Sequence, residues 1–267
     1  MKDYQTIRLD DAGPIARVTL NRPDKRNPIG PDTCGELVHA LGRLRASPAV
    51  RVIVLTGAGT VFSAGGDLSS MRAKTIDSSD ETDEHSIEIR AASLVELFSV
   101  IHDLGKPIIA MVNGPALAGG LGVMVACDLV VAADTATFGT TEISVGLWPM
   151  MITAEITRNV GRKKALEMML TGRRMDAAEA LACGLVNRVV HADELEAATF
   201  ALAGEIADRS PAAVALGLRA FYRSQDMEFE FALRYLESEL GRVLGLEDAA
   251  EGISAFLQKR KPVWKGR

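Results

Sequence analysis

GKPIIAMVNGPALAGGLGVMVACDLVVAADTATFGTTE, residues 105–142, is the stretch on which the rest of the chain is organised. Gly105, Lys106 and Pro107 make a turn signal. The apolar run Ile108, Ile109, Ala110, Met111, Val112 is short and bounded by turn residues, the pattern of a buried strand. Asn113 and Gly114 stop it. Residues 115–122 are small, with Gly119 and Gly120 adjacent, and they lead into Val123, Met124, Val125, Ala126 and Cys127, a turn feeding a buried helix. N–H groups in the first turn of a helix lack partners within it, and glycines there let another molecule come close to the backbone. A carbonyl oxygen gaining negative charge is a ligand such a place favours. A second apolar run, 129–133, and then residues 136–139 precede Glu142, a carboxylate just past a strand end that could move a proton near that turn. Taken alone, a Gly-Gly pair more often serves to pack a helix tightly on a sheet.

Working outward, the 267 residues are 48% hydrophobic and 24% charged, enough for a full core in a soluble globular chain. A net charge of -5 with no extended Lys/Arg run gives no electrostatic footprint for nucleic acid or an anionic membrane. Cys34, Cys127 and Cys183 are far apart, lie among apolar or small residues and lack CxxC spacing, so they read as reduced packing residues in a cytoplasmic protein. The chain starts without an apolar signal core, and no stretch approaches bilayer-spanning length.

Upstream, residues 6–9 and 15–20 flank Asp10, Asp11, Ala12 and Gly13, a hairpin signal. A turn-rich loop over 21–31 carries Arg22, Lys25 and Arg26, cations that could meet a phosphate but are ordinarily solvated surface. Asp32 is expected to cap a helix with Leu37, Val38, Leu41 and Leu44 at helical spacing, closed by Pro48. Residues 52–55 form another buried strand, followed by a second glycine-rich loop that includes Gly65 and Gly66. The polar segment 72–90 predicts a mobile surface insertion, and 91–104 a helix. Downstream, 145–151 is apolar and loop-like, helices are expected over 152–160 and 164–170, and Asp176 with Glu179 has capping-box spacing. After a strand over 185–190 the chain is helical: 193–208, a segment opened by Ser210 and Pro211, 228–246 with Phe229, Leu233, Leu236, Leu240 and Val243 on one face, and 249–257 before a basic tail.

Four apolar strands separated by helices predict a largely parallel sheet with ligands at the strand ends. Both glycine loops fall there. Neither completes a dinucleotide fingerprint, because Phe62 and Val125 stand where the third small residue belongs. His39, His85, His102 and His191 lack metal-ligand spacing, and no Gly-x-Ser-x-Gly elbow exists. What survives is a site with two backbone donors and one carboxylate, suited to holding an enolate-like oxygen while a proton moves at the neighbouring carbon.

Residues 64–68 (AGGDL), 113–120 (NGPALAGG), Cys127-Asp128, Phe138-Gly139, Glu142 with Gly146, Leu170-Thr171-Gly172 and Gly184-Leu185-Val186 occur in order and correctly spaced over nearly the whole chain. Together they resemble the enoyl-CoA hydratase/isomerase family, the crotonases. The resemblance implies an α/β fold, a spiral of β-β-α turns over 1–190 carrying the acyl-CoA site, and a C-terminal helical region over 191–267 used in trimer formation. It implies oxyanion donors at the backbone N–H groups of Gly66 and Gly119, with Glu142 as the second of the family's two acid/base glutamates. Ala64, Gly66 and Leu68 fall where the backbone meets coenzyme A, Lys25 falls near its phosphates, and Phe256 and Lys259 lie on the C-terminal helix expected to complete the pocket. The implied partner is an acyl-CoA thioester, with no cofactor beyond the coenzyme A of the substrate, no nucleic acid, no membrane, and a homotrimer or a dimer of trimers.

One position departs from the pattern: Gly122 stands where the first glutamate belongs. Hydration divides its proton transfers between two carboxylates, whereas a double-bond shift needs one group that takes a proton and returns it elsewhere. The reading therefore leans to enoyl-CoA isomerisation, with 2-enoyl-CoA hydration as the alternative and a non-catalytic acyl-CoA-binding protein as the contrasting class, against which the retained Glu142 argues. On this reading Gly122→Glu is expected to restore the second carboxylate, unless glycine stands there because the helix start or a bulky acyl group leaves no room for a side chain, in which case the substitution only blocks binding.

Overall fold

The computed structural model describes residues 4–66 and 92–267. Strands β1 (Ile7–Asp10) and β2 (Ile15–Leu20) form the expected antiparallel hairpin, Ile7 opposite Leu20. Parallel to β2 run β3 (Val52–Gly57), β4 (Ile108–Val112), β6 (Leu129–Ala133) and β9 (Arg188–Val190), so the large sheet has the order β1-β2-β3-β4-β6-β9. A second sheet is made of β5 (Ala116–Leu117), β7 (Thr137–Gly139) and β8 (Met175–Asp176) in the order β5-β7-β8. Isolated bridges, Ser63 to Ala116 and Ile29 to Gly66, carry the line of the small sheet onward. Successive stretches of chain thus give one strand to the large sheet, a shorter one to the small sheet, and then a helix, which is the expected β-β-α spiral.

Burial on both faces explains the continuous apolar runs of β3, β4 and β6. Side chains alternate across a sheet. Ile53, Leu55, Ile108 and Ala110 accordingly meet one core with Leu37, Leu41 and Leu44 of α1 (Pro31–Ala46) and Leu97 and Ile101 of α2 (Leu94–His102). Val52, Val54, Ile109, Met111 and Val131 meet a second core with Leu195, Ala203 and Ala207 of α7 (Leu195–Ala207). That helix lies beyond residue 190, so the sequence boundary at 190/191 does not coincide with the edge of the core.

Between β5 and β6 lies α3 (Gly119–Val125), and β7 is followed by a 3-10 turn over Thr141–Val145, then α4 (Met150–Asn159) and α5 (Arg162–Thr171). Next come α6 (Ala177–Ala182), α8 (Pro211–Ser224), α9 (Phe229–Leu244) and α10 (Glu247–Leu257). Several expectations shift. Helix α1 opens on Gly30 and Pro31, with Asp32 in its first turn rather than at its cap. Asp176 does accept the Glu179 amide at 2.8 Å, but the Glu179 side chain turns to Lys164 and Arg173, so half of the capping box forms. Strand β9 is three residues long, shorter than the 185–190 run suggested. The segment 72–90 and Leu68 lie outside the described residues.

Candidate active site

The small sheet draws the two glycine loops together. Ser63 N–H donates to Pro115 O at 3.1 Å, Leu117 N–H to Ser63 O at 2.9 Å, and Ala118 N–H to Gly139 O at 2.8 Å. These bonds set the 63–66 segment, the start of α3 and the end of β7 side by side. A Cβ on Gly120 would come 2.4 Å from the Ser63 side chain, so only glycine allows this approach. Gly65 has φ +109, and a Cβ there would stand 2.7 Å from that of Ala118. Ala118 itself holds φ 47, ψ -129 immediately before the first amide of α3. Such strain in a residue with a side chain collects at functional sites, where the surrounding bonds over-determine the backbone.

Gly66 and Gly119 are adjacent in space: a Cβ on Gly119 would lie 3.7 Å from the Gly66 nitrogen. Neither amide finds an acceptor among the described residues. Both glycines line a cavity of about 410 Å³ together with Ala64, Ala118 and Glu142. Apart from Thr141 the remaining wall is apolar, with Leu94, Leu147, Trp148, Met150, Met151 and Ile152 prominent.

Glu142 sits in the 3-10 turn that follows β7. Its Oε2 is buried without a hydrogen-bond partner among the described residues. Burial pushes its carboxyl above the ordinary carboxylate value, opposed in part by a hydrogen bond from its own backbone amide. It is the sole titratable side chain among the described residues that line the cavity. A carboxyl in this setting can take up a proton and release it, and the paired amides can hold an oxygen that becomes negative.

At Gly122 the structure favours the second of the two expectations, a position without room for a side chain. A Cβ there would come 2.1 Å from Ile152 Cγ2 and 3.2 Å from Phe98 Cζ. Ile152 is 2% exposed, so it has little freedom to withdraw. A glutamate at 122 would therefore have to displace this packing, and the substitution does not simply restore a second carboxylate.

Of the other candidates, Ala64 lines the cavity, and its N–H donates to Arg26 O at 2.9 Å, which brings the loop bearing Lys25 alongside. Lys25 itself is exposed at the end of the 3-10 turn Pro23–Lys25 and is not among the lining residues. Phe256, 83% exposed, lies in the last turn of α10, whereas Lys259 stands two residues beyond that helix rather than on it, with φ 53, and neither lines the cavity of its own chain. Sequence reasoning missed Asn27, whose buried amide donates to Ala58 O and Val61 O at 2.9 and 2.8 Å and so locks the first loop onto the second. It also missed Ile152 and Trp148. Their apolar character was visible, but no local pattern showed which side chain would face Gly122.

The sequence profile described as enoyl-CoA hydratase/isomerase matches residues 10–267. A Thermus thermophilus protein, named provisionally as an enoyl-CoA hydratase, is 39% identical over 252 residues, covering 94% of this chain and 98% of the relative. The short-chain-enoyl-CoA hydratase of Clostridium acetobutylicum is 33% identical over 263 residues, 97% of each chain. The crystal structure of an enoyl-CoA hydratase from Mycobacterium smegmatis superposes with a TM-score of 0.87 at 35% identity, covering 97% of this chain and 99% of that one. Fold and these full-length likenesses agree, and the chain belongs to the enoyl-CoA hydratase/isomerase family.

Proposed function

We propose that this protein is an acyl-CoA enzyme that moves a double bond, with Glu142 as its one acid/base. The thioester oxygen takes the amides of Gly66 and Gly119. Glu142 removes a proton from C2 of a 3-enoyl thioester, the electron pair moves onto the thioester oxygen as an enolate, and the proton is returned at C4 to give the 2-enoyl isomer. The observation that carries this reading is the packing of Ile152 against Gly122, which fills with hydrocarbon the place a second carboxylate would need. Ala64 and Leu68 belong to the proposed coenzyme A contacts, and Lys25 to its phosphates; no further cofactor enters the reaction.

A second reading, hydration of a 2-enoyl-CoA, is favoured by the names of the relatives above. It asks Glu142 alone, or Glu142 with a group outside the described residues, to activate water. Incubating the wild-type protein with 2-enoyl- and 3-enoyl-CoA esters and resolving the products decides between them. Interconversion of the two enoyl esters with little 3-hydroxyacyl product supports isomerisation; dominant 3-hydroxyacyl product establishes hydration instead.

Self-association as a homotrimer or a dimer of trimers is part of the same proposal. It is supported by α9, whose Phe229, Leu233, Leu240 and Leu244 fall on one helix face and are each more than half exposed, an apolar stripe of the kind that marks interfaces. In such an assembly Phe256 and Lys259 would meet the pocket of a neighbouring copy. A monomer by light scattering at micromolar concentration would overturn it. A cytoplasmic location fits three free cysteines, and no helix of the described residues is long and apolar enough to cross a membrane.

A further inference from the structure

A second hollow, of about 370 Å³, opens between α2, α4 and the end of α8. Met150 and Met151 line both this hollow and the catalytic cavity. With Val95 they form an apolar strip between the two, since Met150 is 67% and Val95 59% exposed. Methionine is unbranched and adaptable, a suitable wall for a passage that must fit an alkyl chain.

The far side of the second hollow is polar, and its charges are already balanced. His102 Nε2 lies 3.4 Å from the buried carboxylate of Glu155. Arg158 donates to both oxygens of Asp226 at 3.0 and 2.9 Å. Tyr222 OH donates to Asp128 at 2.6 Å. Gln225, an exposed residue, lines the same hollow, and its side-chain amide has no protein hydrogen-bond partner among the described residues. Arg158 and Asp226 already face each other and Glu155 faces His102, so an added charge of either sign gives up hydration and meets a like charge beside any opposite one. An uncharged group that donates or accepts a hydrogen bond meets neither penalty.

Helix α2 sets the reach. Leu94 faces Gly119 in the catalytic cavity and His102 lines the second hollow, eight positions further on, or roughly 12 Å at the rise of an α-helix. An extended alkyl chain with bonds of about 1.5 Å advances roughly 1.3 Å per carbon, so about nine carbons cover that distance, and with C1 to C3 held at the reacting end the chain comes to about twelve.

We propose that the second hollow receives the far end of the acyl chain, and that the preferred substrate class is an acyl-CoA of about twelve carbons with an uncharged hydroxyl or keto group at or near its terminus. The inference rests on the acyl-CoA reading above and adds the identity of the acyl group.

Titration calorimetry with saturated esters tests it without requiring turnover. The probes are butanoyl-CoA, dodecanoyl-CoA, 12-hydroxydodecanoyl-CoA and the ester with a terminal carboxylate, against wild type, Gln225→Leu and Ala154→Trp. Ala154 is exposed and lines only the second hollow, so tryptophan there fills it without disturbing the core. The hydroxylated ester is expected to bind roughly three- to tenfold tighter than dodecanoyl-CoA and the terminal carboxylate ester, the worth of one neutral hydrogen bond. Gln225→Leu should reduce that advantage and Ala154→Trp should remove it. Equal binding of the three long esters, or a preference that survives Ala154→Trp, would overturn the assignment while leaving the acyl-CoA reading intact. Failure of every ester to bind, butanoyl-CoA included, would overturn both.

Discussion

Glu36 and Glu142 are carboxylates withdrawn from water, and the backbone around them treats them in opposite ways. Glu36, 7% exposed, accepts the amides of Gln5, Thr6 and Ile7 at 2.7, 2.8 and 3.1 Å and the Thr6 hydroxyl at 2.6 Å. It fastens the first strand to α1. Glu142 leaves Oε2 buried with no partner among the described residues, in a cavity walled mainly by hydrocarbon, with Thr141 and two unpaired amides its other polar groups. Buried polar groups are normally satisfied, and one that is not needs a reason. The contrast teaches how to tell a carboxylate that holds the fold from one kept free for a substrate.

The widest separation between the two should appear on neutralising each. Glu142→Gln is expected to lower turnover of an enoyl-CoA by about 10²- to 10⁴-fold, the usual contribution of a general acid/base, while the melting temperature stays near that of wild type. Glu36→Gln should do the reverse, costing about 1–3 kcal/mol of stability because an amide cannot accept from all of those donors, with little change in rate per folded molecule. Steady-state kinetics and thermal melts on both variants check this. Persistent turnover in Glu142→Gln would mean that the proton carrier lies elsewhere.

Next in size is loss of an oxyanion donor. Proline has no N–H, so Gly66→Pro should cost about 3 kcal/mol of transition-state stabilisation, roughly a hundredfold in rate. Near-normal kcat in a folded Gly66→Pro protein would remove that amide from the mechanism.

A smaller effect, on stability, is expected at Gly122. Adding a side chain against Ile152 overpacks the α3–α4 contact, so Gly122→Glu alone should destabilise the protein by about 1–3 kcal/mol. The double variant Gly122→Glu with Ile152→Ala makes room for the carboxylate and should recover part of that loss. If isomerisation follows from the missing carboxylate, the double variant should also form more 3-hydroxyacyl product than wild type. A Gly122→Glu protein as stable as wild type would show that Ile152 yields more readily than its burial suggests.

Much of this site was legible in the sequence because its parts are local. The strand-turn-helix pattern around Gly119 and the carboxylate after the 136–139 run are properties of short windows, and periodicity with turn chemistry finds such windows. The packing of Ile152 on Gly122 is not local: thirty positions separate them in the chain, and nothing near Ile152 distinguishes it from other apolar residues at the start of a helix. Asn27 was hidden for a related reason. It lies in a loop whose composition reads as turn, and its role as a buried clamp depends on Ala58 and Val61 arriving from another turn of the spiral. The two-residue strand β5 escaped because it is ordered by its neighbours Ser63 and Gly139 rather than by its own propensity.

The finest test separates the two carboxylates by pH. Burial raises the Glu142 carboxyl above its ordinary 4.5, so between 4.5 and that raised value the folded state binds more protons than the unfolded state. Stability changes with pH in proportion to protons bound unfolded minus protons bound folded. That difference is negative for Glu142, so its contribution weakens as pH rises from 4.5 through the folded value and is constant above it. Glu142→Gln removes this contribution while leaving every other titrating group in place. The stability of wild type minus that of Glu142→Gln, from urea melts between pH 4 and pH 7, should therefore fall as pH rises. The same ionisation should appear in catalysis, because Glu142 must be charged to take the proton: kcat/KM should rise with pH along a limb whose midpoint lies above 4.5. A flat stability difference together with an activity limb at or below 4.5 would place Glu142 in an ordinary solvated setting and remove the contrast with Glu36.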